Sequence, residues 1–146
     1  MGLDMYLNAK KYVTSFKEDG EKPKVTGVPE ARTLKLKELV YEGMYWRKAN
    51  AIHAWFVENV QNGEDDCKEY SVSREDLETL MNVCADVIAN PERAKELLPP
   101  SARFFFGAAE VDDWYWENVK RTYEELKALL SLEMTGWWSF TYQSSW

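Results

Sequence analysis

Histidine is almost missing from this chain: His53 is the only one in 146 residues. One imidazole excludes a multi-histidine metal site within a single chain. A Ser-His-Asp set would have to be built on His53, and no nucleophile-elbow pattern supports one. Cysteine is nearly as scarce. Cys67 and Cys84 have no ligand-like spacing, so reduced thiols are expected. There is no Gly-rich phosphate loop, no paired-Cys knuckle and no HExxH. No basic stretch followed by an apolar run opens the chain, so a secretory signal is not expected. No apolar run is long enough for a membrane span. Tyr6 stands where a myristoylation motif would carry Ser or Thr. The expected location is the cytoplasm, with no cofactor, no metal and no assigned catalytic residue. A small enzyme of unlisted chemistry stays open as an alternative.

What the chain does have is aromatic rings and uneven charge. Seven Trp, eight Tyr and six Phe supply a core without help from disulfides or metals. They also supply flat walls for a ligand or partner surface. The net charge is −7. Residues 1–57 hold ten Lys/Arg against seven Asp/Glu, and residues 58–146 hold eight against eighteen. Such an acidic balance argues against nucleic acid as a partner, since backbone binding needs many cationic contacts. It leaves room for a small anion held by one or two cations, or for a protein partner met by an acidic face. The oligomeric state is not readable.

Along the chain, residues 3–9 alternate, with Leu3, Met5, Leu7 and Ala9 on one side, and read as a half-buried strand. Residues 13–30 read as a protruding hairpin or a mobile loop. Residues 33–43 fit no pattern. A helix is expected from about Met44 to Val60, striped by Tyr45, Ala49, Ile52, Phe56 and Val60 and stopped at Asn62-Gly63. Residues 61–70 read as a polar loop. A second helix follows Ser73 as N-cap, with Asp76 completing a capping box and Val72 and Leu77 in staple positions. Its stripe is Leu77, Leu80, Met81, Cys84, Val87 and Ile88. A short helix opens at Pro91 and stops before Pro99-Pro100. Residues 103–107 read as a buried strand, 112–132 as a long helix, and the last residues as a terminal strand with Trp138, Phe140 and Tyr142 on one face. The amino- and carboxy-terminal strands are natural neighbours. The whole reads as one α+β domain over residues 1–146. It has a single, mainly antiparallel sheet of three to five strands, with three or four helices packed on it.

The densest polar pattern lies in the expected first helix. On a helical wheel Trp46, Asn50 and His53 share one face, with Arg47 at its rim. Two readings compete. In one, His53 takes a structural partner such as Asp4, and Asn50 bonds inside the fold. In the other, these residues line a pocket. Trp46 stacks on a flat group, Asn50 and His53 bond its edge, Arg47 meets an anion and Asp4 orients a binding group. Glu110, Asp112 and Asp113 read as helix-capping acids. Trp114 falls off the inward stripe of its helix with Asn118 and Arg121. Trp114 and Arg121 are therefore candidates for a partner contact.

The opening MGLDMYL, the central YWRKAN with Ile52-His53 and Trp55-Phe56, and the ending FTYQSSW resemble an uncharacterised family of small bacteriophage and bacterial proteins. The resemblance spans the chain, with residues 10–40 least distinctive, and carries no activity or binding residues across. It implies an accessory role, binding a host protein or sequestering a host signalling nucleotide in the host cytoplasm. The leading expectation is a non-catalytic binding protein with an aromatic-lined polar pocket for a small anionic or nucleotide-like ligand. A protein-interaction module is the alternative.

Overall fold

The computed structural model describes residues 2–13, 25–28, 34–102, 110–134 and 138–146. Four strands, β1 (Asp4–Tyr12), β2 (Glu38–Arg47), β3 (Tyr70–Val72) and β4 (Trp138–Ser145), form one antiparallel sheet in the order β2-β1-β4-β3. The helices α1 (Asn50–Asn59), α2 (Arg74–Ala89), the one-turn α3 (Ala94–Leu97) and α4 (Asp113–Ser131) complete an α+β fold. No helix among the described residues is long and apolar enough to cross a membrane. The expected hairpin at 13–30 falls largely, and the strand at 103–107 wholly, outside the described residues.

The strand alternation builds the core. Leu3, Met5, Leu7 and Ala9 beside β4's Phe140 and Tyr142 and β2's Met44 and Trp46 are all buried. They make one apolar sheet face. The buried stripes of α2 (Leu77, Leu80, Cys84, Val87) and α4 (Tyr115, Val119, Thr122, Leu126, Leu130) belong to the same core. Burial lifts the Cys84 thiol to about 12, so it packs as an inert apolar group. From α1, Phe56 lies flat on Tyr142, with ring centroids 3.9 Å apart and planes 8° off parallel.

Two expectations need correction. Residues 38–47 are a strand, and the helix begins at Asn50 rather than Met44. The cause is a β-bulge. Leu7 faces Met44 while Asn8 faces Glu42, which leaves Gly43 unmatched. The inward positions therefore switch from Leu39 and Tyr41 to Met44 and Trp46, and the period-2 signal breaks in mid-strand. Glycine suits the close approach there, because a Cβ would press to 3.2 Å from the Leu7 carbonyl oxygen. The second correction is β3, which pairs Tyr70, Ser71 and Val72 with β4. Its first residue, Tyr70, closes the stretch expected as a polar loop.

Candidate functional site

With α1 starting at Asn50, Trp46 and Arg47 leave its helical face and the expected four-residue cluster does not form. Trp46 is fully buried on β2, its Nε1 donating to Thr122 Oγ1 at 2.8 Å and its ring edge-on to Phe56. It is a core residue that locks α4 to the sheet. Arg47 is exposed on the opposite sheet face, across from Asp4. Asp4 accepts a hydrogen bond from the Tyr45 hydroxyl, and that bond is the leading cause of the raised Tyr45 pKa. The suggested Asp4–His53 pairing is therefore replaced by Asp4–Tyr45.

His53 is fully buried. Its Nε2 lies 3.1 Å from Asp65 Oδ2 and its Nδ1 2.7 Å from the Tyr142 hydroxyl. A carboxylate only accepts, so the neutral ring carries its proton on Nε2 and accepts a hydrogen bond from the Tyr142 hydroxyl at Nδ1. Burial, the leading influence, holds the His53 pKa below 6.5 against the opposing pull of Asp65. At neutral pH the contact is thus a hydrogen bond to a carboxylate rather than an ion pair. Trp146 Nε1 donates to the other Asp65 oxygen at 3.1 Å. The cluster ties α1 to the following loop and to the end of the chain, running from the buried His53 and Tyr142 out to the half-exposed Trp146.

Asn50 is different. It is the first residue of α1 and lines a cleft of about 220 Å³ between the start of α1 and the start of α4. It is 7% exposed, and its buried Oδ1 has no partner. The residue before it, Ala49, is the N-cap and has no side-chain oxygen to offer. The N–H of His53 reaches the Ala49 carbonyl. Those of Asn50, Ala51 and Ile52 are left without an acceptor by helix geometry. Lys48 stands at the cleft with φ +52°, a left-handed conformation that costs a non-glycine residue about 1 kcal/mol. That turn redirects the chain from β2 into α1, fixed by the Lys48 N–H on the Leu3 carbonyl at 2.8 Å.

The facing wall is α4. Trp114 is 46% exposed and donates from Nε1 to the Lys48 carbonyl at 3.3 Å. Asn118, expected off the inward stripe, is buried and lines the cleft, its Nδ2 on the Trp114 carbonyl at 2.8 Å. Asp112 caps α4 by accepting from the Tyr115 N–H at 2.8 Å, as expected of a capping acid. Glu110 and Asp112 stand exposed at the cleft. Arg121 lies outside it, bonding the Tyr45 carbonyl and pairing with Glu125 at 2.7 Å. Of the residues singled out in sequence, the cleft thus brings together Asn50 and Trp114. Lys48, Ala49 and Asn118 were missed. The available signal was the missing Ser, Thr or Asp at the head of α1, legible only once the helix start is known.

No family model matches the chain, and no curated protein and no solved structure matches it. Function therefore has to be read from the chemistry of these residues.

Proposed function

We propose that this chain is a non-catalytic binding protein that takes the anionic end of a small molecule at the N-terminus of α1. The observation that carries the reading is the uncapped first turn of α1, opening beside Lys48 on the cleft. Unfilled N–H groups and the positive end of the helix dipole favour a carboxylate or phosphate oxygen, and the exposed Lys48 adds a positive charge beside the cleft. Asn50 Oδ1, buried and unsatisfied, calls for a donor on the ligand. Glu110 and Asp112 disfavour a polyphosphate, so a singly or doubly charged head fits best.

Size points the same way. The cleft, at about 220 Å³, is below the roughly 300–1,000 Å³ of drug-sized sites. It accommodates an anionic head, while a flat group attached to it lies on the exposed Trp114 indole. That shape is nucleotide-like in the sense of a monophosphate with one base. In a bacteriophage setting, which the motif resemblance suggests, such a protein would sequester a host nucleotide in the host cytoplasm.

The test is native mass spectrometry of the purified protein, then titration with adenosine monophosphate, benzoate and inorganic phosphate. One equivalent of released or added anion is expected on the native chain and none on Ala49→Asp, whose own carboxylate would fill the first turn. A clean protein mass with no response to any of the three overturns the reading. A protein contact is the second reading, favoured by the exposure of Trp114. It expects association that is lost in Trp114→Ala while anion binding by α1 is absent.

A further inference from the structure

A second site lies at the other end of the sheet, where β2 is an edge strand. Backbone groups of an edge strand alternate between its neighbour and open space. The Val13 N–H bonds the Lys37 carbonyl at 2.9 Å, so Lys37 points inward, and by alternation so do Leu39 and Tyr41. Glu38, Val40 and Glu42 then direct their N–H and C=O groups outward. Farther along, beyond the Gly43 bulge, the edge is already occupied, because Arg121 bonds the Tyr45 carbonyl. Among the described residues no hydrogen bond fills the outward groups of Glu38, Val40 and Glu42.

From this open half-edge a groove of about 660 Å³ runs over the sheet face, from β2 across Ala9 and Lys11 of β1 to Trp138 of β4, beside the end of α4. Tyr41, Leu129, Leu132, Met134 and Trp138 give it an apolar floor. Tyr41 and Leu132 are 53% and 56% exposed, because α4 ends at Ser131 and does not cover the start of β2. Tyr41 and Trp138 rest against each other at 5.8 Å, with the Lys11 ammonium over the Trp138 ring. On the opposite sheet face β2 presents Glu38, Val40 and Glu42, cross-strand from Tyr12, Lys10 and Asn8.

We propose that this edge and groove dock an extended segment of a partner protein as a fifth strand. Free main-chain donors and acceptors beside an apolar groove suit strand addition. The charge pattern sets the register of the guest. Residues opposite Glu38 and Glu42 are Lys or Arg, since opposite charges attract and like charges repel across a ladder. The alternating residues drop into the groove and are apolar. A second copy of the chain is a poorer guest, because pairing β2 with itself about Val40 sets Glu38 against Glu42 twice.

The experiment uses three capped heptapeptides on the full chain: alternating Lys and Val, alternating Glu and Val, and four Lys followed by three Val. Amide exchange is read by NMR. The alternating Lys–Val peptide slows exchange of the Val40 and Glu42 amides, and the other two do not. Glu42→Lys, at an exposed position, weakens that peptide by about tenfold, and Ala49→Asp leaves its binding unchanged. Equal binding of all three peptides, or binding without protection at Val40 and Glu42, overturns the proposal. So does protection of those amides by dimerisation in the absence of peptide. Because the α1 cleft is untouched, failure here is distinguishable from failure there.

Discussion

Two helices of this protein begin in opposite ways. At the head of α2, Ser73 Oγ accepts from the Asp76 N–H at 3.0 Å and Asp76 returns a bond to the Ser73 N–H, also at 3.0 Å. The head of α1 has only the Ala49 methyl. The first arrangement closes a helix on itself and stabilises it locally. The second leaves donors facing a cleft, so α1 must be held from elsewhere. Its anchors are the buried face, with Phe56 stacked on Tyr142 and His53 bridging Tyr142 and Asp65. A satisfied cap closes a helix start on itself, and an unsatisfied one at a cavity leaves N–H groups open to the anion proposed for this cleft.

The comparison sharpens by removing each anchor in turn. His53→Ala should have the largest effect. It opens a cavity and strands the Tyr142 hydroxyl in the core, lowering stability by about 3 kcal/mol, measured by urea unfolding. Ser73→Ala should cost about 1 kcal/mol, since only the capping box is lost. Ala49→Asp should abolish anion binding, while its capping gain is offset by burying a carboxylate at a position only 3% exposed, leaving stability within about 1 kcal/mol of the native chain. A destabilised Ala49→Asp that still binds would break the comparison. Smallest is Lys48→Gln, expected within about 0.5 kcal/mol of the native chain, with weaker anion binding as its only clear change.

His53 also gives α1 a pH signature. Its folded pKa lies below 6.5 because burial disfavours the imidazolium. Just below pH 6.5 the unfolded chain therefore binds more protons than the folded one, and stability falls with falling pH. The contribution is complete above 6.5 and is lost as pH drops toward the folded value. Unfolding measured across pH 5–8 should show this slope in the native chain, and it should be smaller in His53→Gln.

Sequence resolved these regions unequally, for physical reasons. The Ser73–Asp76 box, the α2 stripe and the alternation of Leu3, Met5 and Leu7 are local signals that no distant contact overrides, and the structure has them. β2 was hidden because the bulge at Gly43 shifts the inward parity in mid-strand. Near its end, Tyr45 and Trp46 meanwhile fit a helical spacing with Ala49 and Ile52. The three residues of β3 offer too few positions for any period to show. The site suffered from the same error: a wrong helix start placed Trp46 and His53 beside Asn50, where they are core. The cleft itself joins Asn50 to Trp114 across 64 positions of sequence, a contact made only by packing α1 near α4.

The central claim is that the first turn of α1 binds an anion. It is tested most directly by following the backbone amide signals of Asn50, Ala51 and Ile52 during titration with adenosine monophosphate. The account predicts saturable downfield shifts at these amides and at the Trp114 indole N–H, absent in Ala49→Asp. Unmoved amides at α1 with shifts elsewhere, or identical shifts in Ala49→Asp, would contradict it.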